Sequence, residues 1–362
     1  MNKSNNRKWL NDNDCSFDIR NNKFLKLVIP TIFIGLLIYG SWAFIHKLCI
    51  SQIYDKSNKK ATGIALIVTY GCLLLLIFII WFHIWFIGPG IQPHVPAFEI
   101  YENNNDDSDK IDCINPPDIY QCNINGYPIW CPYCQSVKTF RSHHSRSTGY
   151  CVPKFDHYCS WLGTVIGQDN YKLFLIFLIY STIAFGINWI TIIICYLKYF
   201  KRRDHDGNLV AVVIIAGLGF FFTLGLLGSH IYYIVSGNLR SIDVISMKTK
   251  EVREMIVFIC IWDTELKKRF VIEITKEQFS QFWDTGSIIG NLKDVFGPYV
   301  LLWFIPLNFH FPKRIQEEHN ELYDRLGNYS IKINDKIIDI MKEKVRVGDY
   351  ICTVDAAGDK YR

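Results

Sequence analysis

Residues 131–161 read CPYCQSVKTFRSHHSRSTGYCVPKFDHYCSW, and the rest of the chain is read outward from this stretch. It opens on a C-x2-C knuckle, Cys131 and Cys134, passes the pair His143-His144, and reaches a third thiol at Cys151. Three thiolates and one imidazole make the tetrahedral sulfur and nitrogen shell that suits zinc. The shell leaves no open position, so the expected metal is a single structural zinc ion. Spacing alone allows either His143 or His144 as the nitrogen ligand. The competing reading, three buried or redox-active cysteines, is weakened because a short segment punctuated by Pro, Gly and Ser has little core to hide them in.

Cys159 is left over once that tetrahedron closes. A thiol reacts as its thiolate, and an adjacent imidazole can take the proton. His157 lies two residues before Cys159, and Asp156 can orient the imidazole and stabilise its charged form, as in a catalytic triad. Asp156, His157 and Cys159 are therefore the candidate acid, base and nucleophile. The alternative is that His157 and Cys159 are substitute zinc ligands. Trp161 can lie at a membrane interface beside the thiol. Lys138, Arg141 and Lys154 on the same module either meet the phosphates of an anionic carrier or are plain solvated charge.

On either side of the module lie strongly apolar blocks at 24–45, 63–87, 173–197 and 209–235, each near or above the roughly 20 residues that cross a bilayer as helix. Four spanning helices are expected. About 23 polar residues precede the first block, whose apolar run is too long for a cleavable leader, so it is read as a retained span. An even number of spans puts both termini and the 88–172 loop on one face. Lys and Arg lean only weakly toward a cytosolic assignment. Twelve cysteines without a secreted-type framework support that reducing face. The net charge of +5 is spread along the chain with no basic stripe interleaved with aromatics, which argues against nucleic acid as a partner. Juxtamembrane Lys and Arg meet the lipid bilayer more simply.

The expected organisation is a polar tail (1–23), two spans, the 88–172 loop with its cysteine-rich module at 130–171, two further spans, and a C-terminal region (236–362). The acidic stretch 101–110 reads as a linker, and Cys113 and Cys122 as ordinary loop thiols or modification sites. In the C-terminal region, 256–262 and 270–274 read as a hairpin. Residues 299–311 are too short and Pro-broken to span, so they are expected in the interface or against the bundle. The fold class is an all-α integral membrane protein with a cytosolic, loop-rich zinc module and a small mixed C-terminal region.

These motifs resemble the DHHC-family protein S-acyltransferases. Residues 131–180 match that family's cysteine-rich domain without a gap, through the C-x2-C start, Lys138, Arg141, His144, Cys151, the Asp-His-x-Cys core, Trp161, Gly167, Asn170 and Phe174. Asp284, Gly286, Asn291 and 295–297 (VFG) are similar to the family's C-terminal element. The resemblance implies Cys131, Cys134, His144 and Cys151 as the metal set, and Asp156, His157 and Cys159 as the catalytic set. It further implies acyl-CoA as donor, with Lys138 and Arg141 at its phosphates, Trp161 beside it, and protein substrates bearing membrane-proximal cysteines. A multi-pass protein of an endomembrane or plasma membrane, with its active site in the cytosol, is the implied setting.

The departures carry information. The family usually binds a second zinc, whose set maps to Ser145, Thr148, Tyr158 and Val165, and none of these is Cys or His. Tyr158 makes the motif DHYC, similar to a fungal subgroup. Ser160 replaces the usual proline, 88–90 (GPG) replaces Asp-Pro-Gly, and 240–243 (RSID) stands where Thr-Thr-x-Glu is usual, so that Ser241 and Asp243 are expected to keep part of its bonding. A catalytically inactive zinc-binding scaffold would not need Asp-His-x-Cys intact. A thiol-disulfide enzyme would need a resolving cysteine, and the nearest, Cys151, is committed to zinc. A transporter would place polar groups at mid-membrane, where only His230 is a candidate.

Overall fold

A computed structural model describes residues 23–98, 113–114, 116–199, 206–248, 257–306, 333–354 and 360–361. Nearly all of the expected N-terminal tail, the acidic linker, most of the loop between the last two spans and residues 307–311 lie outside them.

Among the described residues, four helices are long and apolar enough to cross a membrane. The first is α1 (Lys23–Trp42), which runs on as π-helix through Ala43–Lys56. The expected loop at 46–62 is therefore mostly helical. Its buried residues Phe44, Leu48, Cys49 and Ile53 recur at intervals of four and five, which suits an i→i+5 helix better than an α-helix. The second span, α2 (Lys60–Ile87), stops at Gly88, whose φ of +72° an L side chain would resist. The others are α3 (Tyr171–Tyr199) and α4 (Gly207–Gly237). Asp206 caps α4 by accepting the Asn208 N–H, and Asn238 ends it in the left-handed region.

Helices α3 and α4 approach closely because glycines face aromatic rings. A Cβ on Gly219 would lie 2.8 Å from the Phe185 ring, so only glycine lets that ring nest. Outward-facing Phe82 and Phe86 on α2 are 69% and 90% exposed, an arrangement that suits contact with lipid.

Between α2 and α3 the chain is built from short strand pairs. β1 (Ala97–Phe98) pairs in parallel with β2 (Cys113–Ile114), and β3 (Ile119–Cys122) follows. Three antiparallel hairpins come next: β4 (Trp130–Cys131) with β5 (Ser136–Val137), β6 (His143–Ser145) with β7 (Tyr150–Val152), and β8 (His157–Cys159) with β9 (Thr164–Ile166). No helix forms there among the described residues.

After α4 come α5 (Ser241–Lys248), β10 (Val257–Asp263), β11 (Lys268–Ile274), α6 (Lys276–Gln281), α7 (Ile288–Phe296), a 3-10 turn (Val300–Leu302), α8 (Asp335–Val347), β12 (Cys352–Val354) and β13 (Lys360–Tyr361). The expected hairpin is β10–β11, and it belongs to a larger five-stranded sheet of order β13-β12-β11-β10-β3. An all-α description is thus incomplete, since sheet forms both the module and the C-terminal core. The sheet recruits β3 across 135 intervening residues by pairing Cys122 with Phe258, and Cys122 is buried rather than a loop thiol. On α8, Ile337, Met341 and Val345 recur every four residues and bury one face.

Candidate active site and metal centre

Alternation along β6 sends adjacent side chains to opposite faces, and this separates the two histidines. His144 Nδ1 lies 3.5 Å from Cys131 Sγ and 3.3 Å from Cys134 Sγ. With Cys151 the four donor atoms lie within 4.8 Å of one another. Tetrahedral zinc with its usual bond lengths needs sulfur and nitrogen about 3.5 Å apart, so the donor set fits that ion. Burial, and then the charge of Lys138, hold His144 below its ordinary value, which favours the neutral imidazole a metal requires. His143 instead packs on Phe155.

The second constellation rests on β8 and the segment before it. Asp156 is 1% exposed; its Oδ2 accepts from His157 Nδ1 at 2.5 Å and its Oδ1 from the Ser241 backbone N–H at 2.9 Å. Burial opposes both charges, yet their mutual hydrogen bond wins. His157, also bonded to Cys159, is lifted to about 10, and Asp156 falls to about 2. Cys159 is buried on the same strand. His157, Cys159 and Trp161 open onto an apolar cavity of about 250 Å³ between α1, α3 and α4, lined deeper by Phe174, Phe185, Phe222 and Leu226.

Residues 124–247 match the family described as DHHC palmitoyltransferase. Palmitoyltransferase PFA5 of Saccharomyces cerevisiae is 36% identical over 94% of this chain and 96% of its own length. The chain belongs to the DHHC palmitoyltransferase family. A Kluyveromyces lactis protein, also called palmitoyltransferase PFA5, is 35% identical over 92% of this chain and 96% of its own. Palmitoyltransferase ZDHHC15 of Xenopus laevis is 26% identical over 81% and 84%.

The second metal set of this family has no counterpart in the donor chemistry here. Ser145, Thr148, Tyr158 and Val165 offer hydroxyls, a phenol and an alkyl group, and Tyr158 pairs directly with Val165 across β8 and β9.

Arg141 is not solvated charge. It is 5% exposed, in the left-handed region at φ 57°, stacked 5.1 Å from the Trp283 ring and ion-paired with Asp243. Lys154, also left-handed, bonds Asp294 at 3.2 Å, and Asn238 bonds the same carboxylate at 3.0 Å. In this way α5 and α7 clasp the cysteine-rich module. Two guanidinium nitrogens of Arg141 and two of Arg240 are buried with no acceptor among the described residues, and an anion would satisfy them. Lys138 follows β5, is half-buried, and acts by its charge on His143, which Asp243 and Arg141 of the clasp also influence.

Sequence reasoning noted His230 of α4 only as a polar group within a span and did not place it at this site. It accepts or donates at Tyr171 Oη, 3.0 Å away, and lies within 4.8 Å of the Asp156–His157 pair. Only the packing of α4 on α3 brings it there, and no local pattern encodes that. Ser241, expected to keep part of the usual bonding, reaches Asp156 through its backbone N–H.

Proposed function

We propose that the chain is a protein S-palmitoyltransferase working in two steps through Cys159. The supporting observation is a buried thiol at the mouth of an apolar cavity, beside an imidazole held by a buried carboxylate. In the first step Cys159 Sγ, its proton passed to His157, attacks the acyl carbonyl carbon of acyl-CoA. The carbon–sulfur bond to CoA breaks, and the departing thiolate takes the proton from His157. In the second step a substrate cysteine gives its proton to His157 and attacks the thioester carbonyl; the carbon–sulfur bond to Cys159 breaks, and the departing Cys159 thiolate takes that proton back from His157.

Asp156 keeps the imidazole oriented and its charge compensated. The acyl chain occupies the cavity, with Trp161 at its rim. Arg141 and Lys138, joined by Lys154 and Arg240, meet the phosphates of CoA. Zinc on Cys131, Cys134, His144 and Cys151 supplies folding energy to the module and takes no part in the transfer. The module and C-terminal region face the cytosol, where substrate proteins present membrane-proximal cysteines, and the spans occupy 24–45, 63–87, 173–197 and 209–235.

Incubation with an alkyne-tagged acyl-CoA should label the full chain through a hydroxylamine-sensitive bond, and Cys159→Ser should abolish the label. Persistent labelling of that variant would remove Cys159 as nucleophile.

A further inference from the structure

In a two-metal member of this family, the second ion ties the turn after β6 to hairpin β8–β9. Those positions here are Ser145, Thr148, Tyr158 and Val165, and they hold no metal donors. The first turns of α1 lie there instead. Lys26 Nζ donates to Ser147 Oγ at 2.9 Å, within the β6–β7 turn, and stands 5.6 Å from the Tyr158 ring centroid on β8. One ammonium group therefore touches both segments.

The tip of hairpin β8–β9 is seated on the same helix. Gly163, at φ +70°, would place a Cβ 3.1 Å from Pro30 Cγ, so an added side chain would strain the turn and press against α1. Phe33 packs on Trp161 with ring centroids 6.0 Å apart. From the other side, Trp85 of α2 donates to Leu162 O at 2.5 Å. We infer that Lys26, bridging Ser147 and Tyr158, takes the tethering role of the second metal and fixes β8, with His157 and Cys159, against the first span.

A lysine at the start of a span ordinarily reaches for lipid headgroups. Lys26 has two protein partners instead, one on each hairpin. The Tyr158 hydroxyl is buried without a partner, so the ring face and not the phenol is what the contact uses. A cation over a ring is far weaker than a zinc tetrahedron, and single substitutions should therefore release the hairpin while leaving the first metal set intact. Lys26 and Tyr158 are positioning residues. Only the effect on activity rests on the assignment of Cys159 as nucleophile.

Amide hydrogen exchange on the full chain in lipid nanodiscs tests the tether directly. In Lys26→Met, exchange across 157–166 should rise about tenfold, with 131–137 and the zinc content unchanged, and Lys26→Arg should restore protection. Tyr158→Leu should behave like Lys26→Met, and Tyr158→Phe like the parent. In acyl-CoA labelling, Lys26→Met should slow acyl-enzyme formation several-fold without moving the half-saturating acyl-CoA concentration. Unchanged exchange in Lys26→Met, or an equal rise across the whole module with loss of zinc, overturns the inference. If the exchange pattern holds while the parent chain forms no thioester, the tether stands and the nucleophile assignment fails.

Discussion

Replacing Asp156 by Asn changes one atom and should disable the site. Asn keeps an oxygen for the Ser241 N–H but presents an amide NH2 to His157 Nδ1, where the carboxylate now accepts at 2.5 Å. The imidazole must then move its proton to Nε2, which leaves it a donor toward Cys159 and unable to take the thiol proton. The lift of His157 from 6.5 to about 10 corresponds to about 5 kcal/mol in favour of the imidazolium. Cys159 supplies part of that lift, so the loss assigned to the carboxylate is about 3–5 kcal/mol, or roughly 10²- to 10⁴-fold in rate. Rapid-quench labelling with tagged acyl-CoA measures the rate directly. The pH profile gives a second readout: in the parent the high-pH limb should fall near the His157 value of about 10. In Asp156→Asn burial remains and only Cys159 still opposes it, so that limb should move down by about two to four pH units. Zinc content and half-saturating acyl-CoA should not change. A variant within tenfold of the parent, with its limb unmoved, would refute the role given to Asp156.

Elemental analysis of purified chain should give about one zinc, and a ratio near two would restore the second site. Stripping that zinc with a chelator should unfold the module and end acylation, as seen by loss of near-UV circular dichroism and of label. Arg141→Met leaves the Asp243 carboxylate buried without its partner and should cost about 3–5 kcal/mol, read from denaturant or thermal unfolding. The Asp156–His157 pair also sets a stability plateau. His157, raised above its unfolded value, contributes fully below pH 6.5 and loses that contribution as pH climbs through about 10; Asp156, depressed, contributes fully above pH 3.8 and is lost as pH falls through about 2. Thermal midpoints should therefore decline on both sides of that window, and Asp156→Asn should flatten both limbs.

The four apolar helices were legible because a bilayer imposes length and composition locally, residue by residue. The donor types Cys131, Cys134, His144 and Cys151 were legible for a similar reason: zinc chemistry restricts ligand identity and spacing. The choice between His143 and His144 was open on spacing and needed the direction of side chains along β6. The continuation of α1 to Lys56 was hidden, because polar Gln52, Asp55 and Lys56 read as loop while Phe44, Leu48 and Ile53 bury against other helices. Hidden too was β3, a four-residue strand whose partner lies far along the chain.

Sequence by itself determined a multi-pass membrane protein of this acyltransferase family carrying one full set of soft metal donors beside Asp156, His157 and Cys159. Tertiary structure alone decided how charge is compensated around them. The Ser241 N–H on Asp156, His230 beside the pair, Asp243 on Arg141 and Lys26 over Tyr158 all reach across at least 73 positions of chain. Electrostatic contacts depend on distance in space and on burial, and neither quantity is written in the order of residues until the helices have packed.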